Sequence, residues 1–254
     1  MEIGKQIQIL RKKSKISSKK LVLGLCSTRT LNYIESGMEL PDKMLADILI
    51  QRLGKSPDKL ELIISKEIYQ LERIQDLFEE ALERGNRKRA EELLEQYKEI
   101  APKNKVYRMF YCRNQGYLAF RLDGNLIESK DWIKQAIDIT MPEWRNNSLE
   151  NYLISTIEIE NLLAYAKLLL RGETKCKLEE AEELLLSCRR YIDEHICDRE
   201  EYAKIYCKCA DLLAEIYLAR KDFYKVSSLC EKAFNELRDF GIIYYMQPLL
   251  EKLV

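Results

Sequence analysis

The sequence predicts an all-helical protein, and three observations indicate this fold class. Leu, Glu and Lys, which favour helices, are abundant, whereas the 254 residues include only nine Gly and five Pro. Apolar residues recur three and four positions apart, which is the spacing of one face of an α-helix. The alternation of apolar and polar residues that is typical of half-buried strands is nearly absent. We therefore expect a small helical domain followed by a longer helical region.

The charge is distributed unevenly although it sums to zero. Residues 1–62 contain twelve Lys and Arg against seven Asp and Glu, so the remaining residues contain 30 basic and 35 acidic ones. A basic head on an acidic body favours a nucleic-acid contact that is confined to the head. On charge alone, an ordinary solvated surface is the alternative.

The residue inventory argues against an enzyme, a metal site and a membrane protein. The eight Cys include no Cys-x-x-Cys pair and His195 is the only histidine, so neither a metal nor a cofactor is predicted. The sequence contains no glycine-rich phosphate loop, and no apolar run approaches the length of about 18 residues that spans a membrane. The N-terminus lacks the apolar core of a signal peptide. We expect a cytoplasmic protein whose reduced cysteines are small core residues.

Five short helices are predicted within residues 1–64. They are expected at 2–13 on the spacing of Ile3, Ile7 and Leu10, at 19–23 behind a Ser17 or Ser18 cap, between Gly24 and Gly37, from Pro41-Asp42 to Leu53, and from Ser56-Pro57 through Ile64. The third helix is the most informative, because a glycine at each end permits a tight turn there. Ser27 can cap this helix while Leu31 and Ile34 form its buried stripe.

The polar side chains near the start of the third helix indicate a helix-turn-helix domain at residues 1–64 that inserts this helix into the major groove of DNA. Thr28, Arg29 and Thr30 are predicted to contact base edges, since Arg can bind guanine with two hydrogen bonds. The full set of predicted DNA-binding residues is Ser18, Lys19, Ser27, Thr28, Arg29, Thr30, Asn32, Tyr33 and Lys43. The alternative for each of them is an exposed polar residue without a ligand.

A further set of residues in the head has a recognisable spacing: Ile3-Gly4, Leu10-Arg11, Leu21, Gly24, Leu31, Ile34-Glu35-x-Gly37, Pro41 and Arg52-Leu53-Gly54. In these residues the head resembles the lambda-repressor-like (Xre) helix-turn-helix domain. The resemblance implies a structural ion pair between Arg11 and Glu35. Tyr33 stands where relatives commonly carry Arg or Lys. This difference leaves open the alternative that the head serves in dimerisation or docking.

From residue 66 to residue 254 the pattern changes to pairs of amphipathic helices. The pairs are expected at 66–84 with 87–100, 105–122 with 129–139, 149–171 with 178–195, and 200–220 with 223–240, before a last helix at 242–254. They recur about every 40 residues, near the 34 of tetratricopeptide repeats. The resemblance to these repeats lies in Leu213-Ala214-x-x-Tyr217, Lys221-Asp222-Phe223, Val226, Cys230 and Ala233, and in part in Ala90-x-x-x-Leu94, Gly116, Ala136, Pro102 and Pro142. It implies a tetratricopeptide-like α-solenoid.

The first helix of each pair lines the concave side of such a solenoid. Asn is disfavoured inside helices, and its amide can both donate to and accept from the backbone of an extended peptide. The predicted peptide-binding residues are Tyr107, Tyr111, Arg113, Asn114, Asn151, Glu158, Asn161, Lys204 and Lys208. The alternative for each is a solvated or core polar residue.

A lambda-repressor-like head joined to tetratricopeptide repeats resembles the peptide-pheromone-responsive regulators of Gram-positive bacteria, the Rgg and PlcR type. The resemblance implies a cytoplasmic homodimer that regulates transcription in quorum sensing, binds a palindromic operator in double-stranded DNA, and changes its activity when its repeats bind a short signalling peptide. The chain ends at Val254 within a predicted helix, and the resemblance leaves open whether a terminal helix follows it. The alternative is a protein-docking scaffold whose head no longer binds DNA.

Overall fold

The computed structural model contains helices and no strands over the residues that it describes, which confirms the all-α fold class. These residues are 3–57, 66–172, 175–196, 198–238, 240 and 246–252, with the backbone alone described at 66–68 and 175–176. The helices are α1 Ile3–Lys13, α2 Ser18–Leu21, α3 Thr28–Ser36, α4 Lys43–Arg52, α5 Lys66–Glu83, α6 Arg87–Ile100, α7 Lys105–Arg121, α8 Leu126–Thr140, α9 Thr156–Leu170, α10 Lys175–His195, α11 Arg199–Ala219, α12 Phe223–Arg238 and α13 Gln247–Leu250. None of the described helices is both long and apolar enough to cross a lipid bilayer.

The contacts divide the chain into two compact units, Met1–Ser155 and Thr156–Val254. The first unit contains α1–α4 together with the hairpins α5–α6 and α7–α8, and the second contains α9–α13. The predicted division after residue 64 stays a prediction. The fifth predicted helix, which carries Leu60 and Ile64, lies mostly outside the described residues.

Short side-chain caps set the bounds of the N-terminal helices. The side chains of Ser17, Ser27 and Asp42 each accept a hydrogen bond from a backbone N–H in the first turn of α2, α3 and α4, respectively. Gly37 ends α3 with φ 78°, a left-handed conformation that glycine adopts without steric cost. These local signals explain why the predicted bounds of α3 and α4 agree with the structure.

Neighbouring helices pair as antiparallel hairpins within each unit, α5 with α6 and α7 with α8 in the first, α9 with α10 and α11 with α12 in the second. Helices α7 and α8 approach each other closely at Gly116, whose carbonyl accepts a hydrogen bond from Ser129 Oγ at 2.8 Å. A Cβ atom at Gly116 would lie 2.7 Å from the side chain of Ile133. A small residue is therefore required where the two helices meet.

Within the described residues, three predicted helix starts differ from the structure by three residues or more. One of them is that of α10, which was expected at Leu178 and begins at Lys175. The helix expected from Leu149 begins only at Thr156, after a 3₁₀ turn at Leu149–Asn151 and a non-helical segment that buries Tyr152, Leu153 and Ile154. Apolar residues in this segment match helical spacing, but they reach the core from non-helical backbone. In α8 the prediction started at Ser129, whereas Asn125 caps a helix that begins at Leu126.

Candidate functional site

The first turn of α3 presents polar side chains to solvent. Thr28 and Arg29 are exposed, while Leu31 and Ile34 on the opposite side are fully buried. Ser27 Oγ accepts from the backbone N–H of Thr30 at 3.0 Å and lies 2.9 Å from Thr30 Oγ1. The two hydroxyls thus brace each other beside the helix N-terminus, where backbone N–H groups favour an anion.

Tyr33 positions Arg29. Arg29 Nε donates a 2.8 Å hydrogen bond to Tyr33 Oη, and the guanidinium carbon lies 5.3 Å from the centre of the Tyr33 ring. A cation over a ring face is attracted to it, so the long Arg side chain is held along the helix surface. The four remaining N–H donors of the guanidinium stay available for another acceptor. The spacing of these residues, i and i+4 on one helix, is a signal that the sequence already contained.

The surface around α2 and α3 is basic. Lys12, Lys13, Lys15, Lys19, Lys20 and Arg29 are all exposed, and none of them forms an ion pair within the described parts of the chain. Asn32 is also exposed, whereas Ser18 and Thr30 are half-buried. The structure therefore places eight of the nine predicted DNA-binding residues on α2, α3 and the cap of α3.

Lys43, the ninth, has a different environment on α4. Its ammonium lies 2.8 Å from Asp47 Oδ2 and 3.1 Å from Glu72 Oε1. Partial burial disfavours the ammonium, but the hydrogen bonds and charges of these two carboxylates outweigh that effect and raise the pKa of Lys43. Lys43 therefore already neutralises acidic residues of its own unit.

Helix α1 holds α3 through an ion pair and a close backbone contact. Arg11 and Glu35 form a two-pronged ion pair, with Nε to Oε1 at 2.6 Å and Nη2 to Oε2 at 2.7 Å, and the hydrogen bond to Glu35 raises the pKa of Arg11. Arg11 Nη1 also donates to the carbonyl of Ile16 at 3.1 Å. At Gly4 a Cβ atom would lie 1.8 Å from the carbonyl oxygen of Ile34, so α1 can approach α3 only with glycine there.

The turn before α3 packs on the end of α8. Gly24 has φ 76°, and a Cβ atom at this position would lie 1.9 Å from the carbonyl oxygen of Thr140. The buried guanidinium of Arg52 donates to the carbonyls of Leu21 at 3.0 Å and Leu23 at 2.7 Å. It also lies 3.4 Å from the carbonyl of Thr140. The α2–α3 turn is thereby fixed to the second hairpin of the first unit.

Asp42 makes a second connection between the head and the hairpins. Its Oδ1 caps α4, and its Oδ2 accepts from Asn104 Nδ2 at 3.0 Å. Tyr107 also forms a side-chain hydrogen bond with Asp42. Burial raises the pKa of Asp42 in spite of these hydrogen bonds. Sequence spacing could not show this cluster, because Asp42 and Asn104 are 62 positions apart.

Five of the predicted peptide-binding residues lie in the first unit, and their environments differ. Tyr107 is buried against Asp42, Tyr111 is half-buried with hydrogen bonds to Glu95 and Gln115, and Asn151 is exposed. Arg113 Nε donates to Tyr117 Oη at 3.1 Å. Asn114 is buried, and its Nδ2 has no hydrogen-bond partner among the described residues.

The other four lie in the second unit. Lys204 forms ion pairs with Glu200 at 2.7 Å and Glu201 at 3.8 Å, and Lys208 pairs with Glu160. Glu158 and Asn161 are buried in α9. Asn161 is 0% exposed, and neither atom of its amide has a hydrogen-bond partner in the described structure.

Comparison with known proteins gives a structural match. No family model matches the sequence, and no curated protein matches it. The fold is similar to that of PlcR. The crystal structure of PlcR from Bacillus thuringiensis in complex with the peptide PapR7 and DNA aligns with a TM-score of 0.53 and 14% sequence identity, covering 99% of this chain and 88% of PlcR.

The match to PlcR extends over both units, although only 14% of the aligned residues are identical. At 14% identity the likeness to PlcR concerns the course of the backbone. The roles of individual side chains in this protein therefore follow from their contacts and exposure in its own structure. That geometry assembles the basic residues of α2 and α3 into one surface. It leaves the predicted peptide-binding residues in several environments.

Proposed function

We propose that the protein is a sequence-specific DNA-binding transcriptional regulator whose helical repeats bind a short signalling peptide. Residues 1–64 act as a lambda-repressor-like helix-turn-helix domain, and residues 66–254 as a tetratricopeptide-like sensing and dimerisation domain. The observation that carries the DNA-binding part is the first turn of α3, where Thr28 and Arg29 are exposed beside the exposed lysines of α2. Likeness to the fold of PlcR supports the combination of head and repeats.

In this proposal the residues of α3 have distinct tasks. Arg29, held by Tyr33, contacts a guanine in the major groove, and Thr28 contacts a neighbouring base edge. Lys19 and Lys20 contact phosphates, which sets register without sequence preference. Two such heads in a homodimer contact two half-sites of a palindrome, spaced by about 34 Å or a multiple of it.

The DNA-binding part can be tested by selecting sequences from a random double-stranded DNA library with the full chain. We expect one enriched motif. Arg29→Ala should weaken binding to that motif by about 5- to 150-fold and relax its preference at one base position, because a two-pronged Arg–guanine contact is worth about 1–3 kcal/mol. Lys19→Ala should weaken binding to all sequences and reduce the salt slope by about one.

A matched control is Arg121→Ala, which removes an exposed Arg at the end of α7. This variant should bind the selected motif as tightly as the wild type. Failure to enrich any motif, or equal losses for Arg29→Ala and Arg121→Ala, would overturn the DNA-binding proposal and favour the docking scaffold.

The peptide-binding part is supported by the likeness to PlcR and by polar side chains on α7 and α11. Tyr111 and Arg113 on α7, and Lys204 and Lys208 on α11, are half-buried and hold their polar ends at the surface through neighbouring partners. A peptide that contacts different dimer geometries unequally shifts their populations. In a screen of short synthetic peptides, we expect a binder whose affinity falls for Tyr111→Ala and Arg113→Ala. A library without a saturable binder would refute this part alone.

A further inference from the structure

A groove in the first unit is lined mainly by residues of α6, α7 and α8, and it shares Tyr107 and Tyr111 with the predicted peptide-binding set. Its walls come from the end of α6, the connection to α7, the first half of α7 and the middle of α8, with Leu25 of the α2–α3 turn also lining it. Its volume is about 720 Å³, within the range of about 300–1,000 Å³ that is typical of small-molecule sites. Helices α6 and α8 are the second helices of their hairpins. The groove therefore differs from the predicted peptide-binding face, which only the first helix of each hairpin lines.

The groove is lined by four cations and by no Asp or Glu. The cations are Lys98, Lys103, Lys105 and Arg108. Within the described residues, Lys98 lies 3.6 Å from Glu95, whereas Lys103, Lys105 and Arg108 form no ion pair. Like charges gathered along a concave wall focus a positive potential, which attracts an anion.

Two aromatic side chains form an apolar part of the wall beside these cations. Tyr111 and Trp132 meet edge to face with ring centres 6.4 Å apart, and both rings are half-buried. Their polar atoms have partners outside the groove wall, since Trp132 Nε1 donates to Glu128 and Tyr111 Oη bonds Glu95. Lys98 Nζ lies over the Tyr111 ring, 5.4 Å from its centre. The remaining ring surface of Tyr111 and that of Trp132 can stack on a flat apolar group.

We infer that this groove binds a small organic anion with a flat apolar body, of the class of aromatic carboxylates. The carboxylate lies between Lys105 and Arg108, and the ring lies against Tyr111 and Trp132. The inference does not depend on the proposed DNA and peptide functions. An occupant would also touch Asn104 and Tyr107, which bond Asp42 and so connect α4 to the hairpins. It would therefore stabilise the first unit against unfolding.

The test uses the full chain and a matched pair of probes, 1-naphthoate and its neutral analogue 1-naphthamide, in isothermal titration at low ionic strength. We expect saturable binding of 1-naphthoate with a Kd of about 1 mM or tighter, as ligand efficiencies allow for a molecule of this size. The amide should bind at least about tenfold more weakly, since charge-assisted hydrogen bonds are lost.

Variants locate the site. Lys105→Gln with Arg108→Gln should weaken 1-naphthoate binding by about tenfold or more. The control Lys88→Gln with Arg121→Gln removes one exposed Lys and one exposed Arg from the ends of α6 and α7 that lie away from the groove, and it should leave binding unchanged. All four side chains are exposed, so both double variants should melt as the wild type does. Absent binding, equal binding of acid and amide, or equal effects of the two double variants would overturn the inference.

Discussion

Replacing Gly24 by alanine tests the packing of the α2–α3 turn on α8. The change has two costs. Gly24 has φ 76°, and an alanine in the left-handed region costs about 1–2 kcal/mol. The added Cβ would lie 1.9 Å from the carbonyl oxygen of Thr140, so the turn or the carbonyl must shift to restore an allowed contact. Such a shift also disturbs the donors of Arg52, which bind carbonyls of the same turn.

The structure contains a control that separates these two costs. Gly85 has φ 67°, and a Cβ atom added there would have no atom within 4 Å. Gly85→Ala therefore carries the left-handed cost alone, about 1 kcal/mol after the lower entropy of the unfolded alanine chain is included. We expect Gly24→Ala to lower the free energy of unfolding by about 3–4 kcal/mol, which places it among the severe substitutions. The difference between the two variants measures the contact with Thr140.

Urea unfolding followed by tryptophan fluorescence is the appropriate assay. The two tryptophans, Trp132 and Trp144, both lie in the first unit, as do both glycines, so the signal reports on the unit that is perturbed. Equal losses for Gly24→Ala and Gly85→Ala would refute the close packing of the turn on α8. A large loss accompanied by weaker DNA binding at temperatures where the variant is folded would indicate that this packing also orients α3.

Four further outcomes are expected. Arg52→Met should lower the free energy of unfolding of the first unit by about 3 kcal/mol, because each buried carbonyl that loses its donor costs about 1–3 kcal/mol. A decrease of less than about 1 kcal/mol, measured by tryptophan fluorescence, would contradict this prediction. Asn161→Leu should raise the free energy of unfolding by about 1 kcal/mol, because it removes from the core an amide that has no partner among the described residues. A melting temperature below that of the wild type, measured by circular dichroism, would indicate that the amide has a partner. Burial raises the pKa of Cys207 to about 12, so iodoacetamide at a pH of about 8 followed by peptide mapping should find it unmodified until the chain unfolds. Burial raises the pKa of Asp42 above its ordinary value of 3.8, so the folded state binds this proton more tightly than the unfolded state does. The stability of the wild type relative to Asp42→Asn should therefore fall as the pH rises from about 3.8 through the folded pKa. A rise in this relative stability over the same pH range would contradict the raised pKa.

The sequence by itself determined the helical class and the local frame of α3. Ser27 caps it, Gly37 ends it, and Leu31 and Ile34 are its buried stripe, because each of these features depends on residues within one or two turns. The same holds for Arg29 and Tyr33, which are four positions apart on one helix. Signals of this kind are local, so periodicity and capping rules can find them.

Only the tertiary structure decided which residues meet across the chain. Gly24 has the pattern of an ordinary turn glycine, yet it is required by the carbonyl of Thr140, which lies far along the chain. Asn161 has the pattern of a polar helix residue, and the packing of the second unit buries its amide completely. Contacts at such separation depend on how whole helices pack, and helical spacing fixes which side a residue occupies without fixing what that side will face.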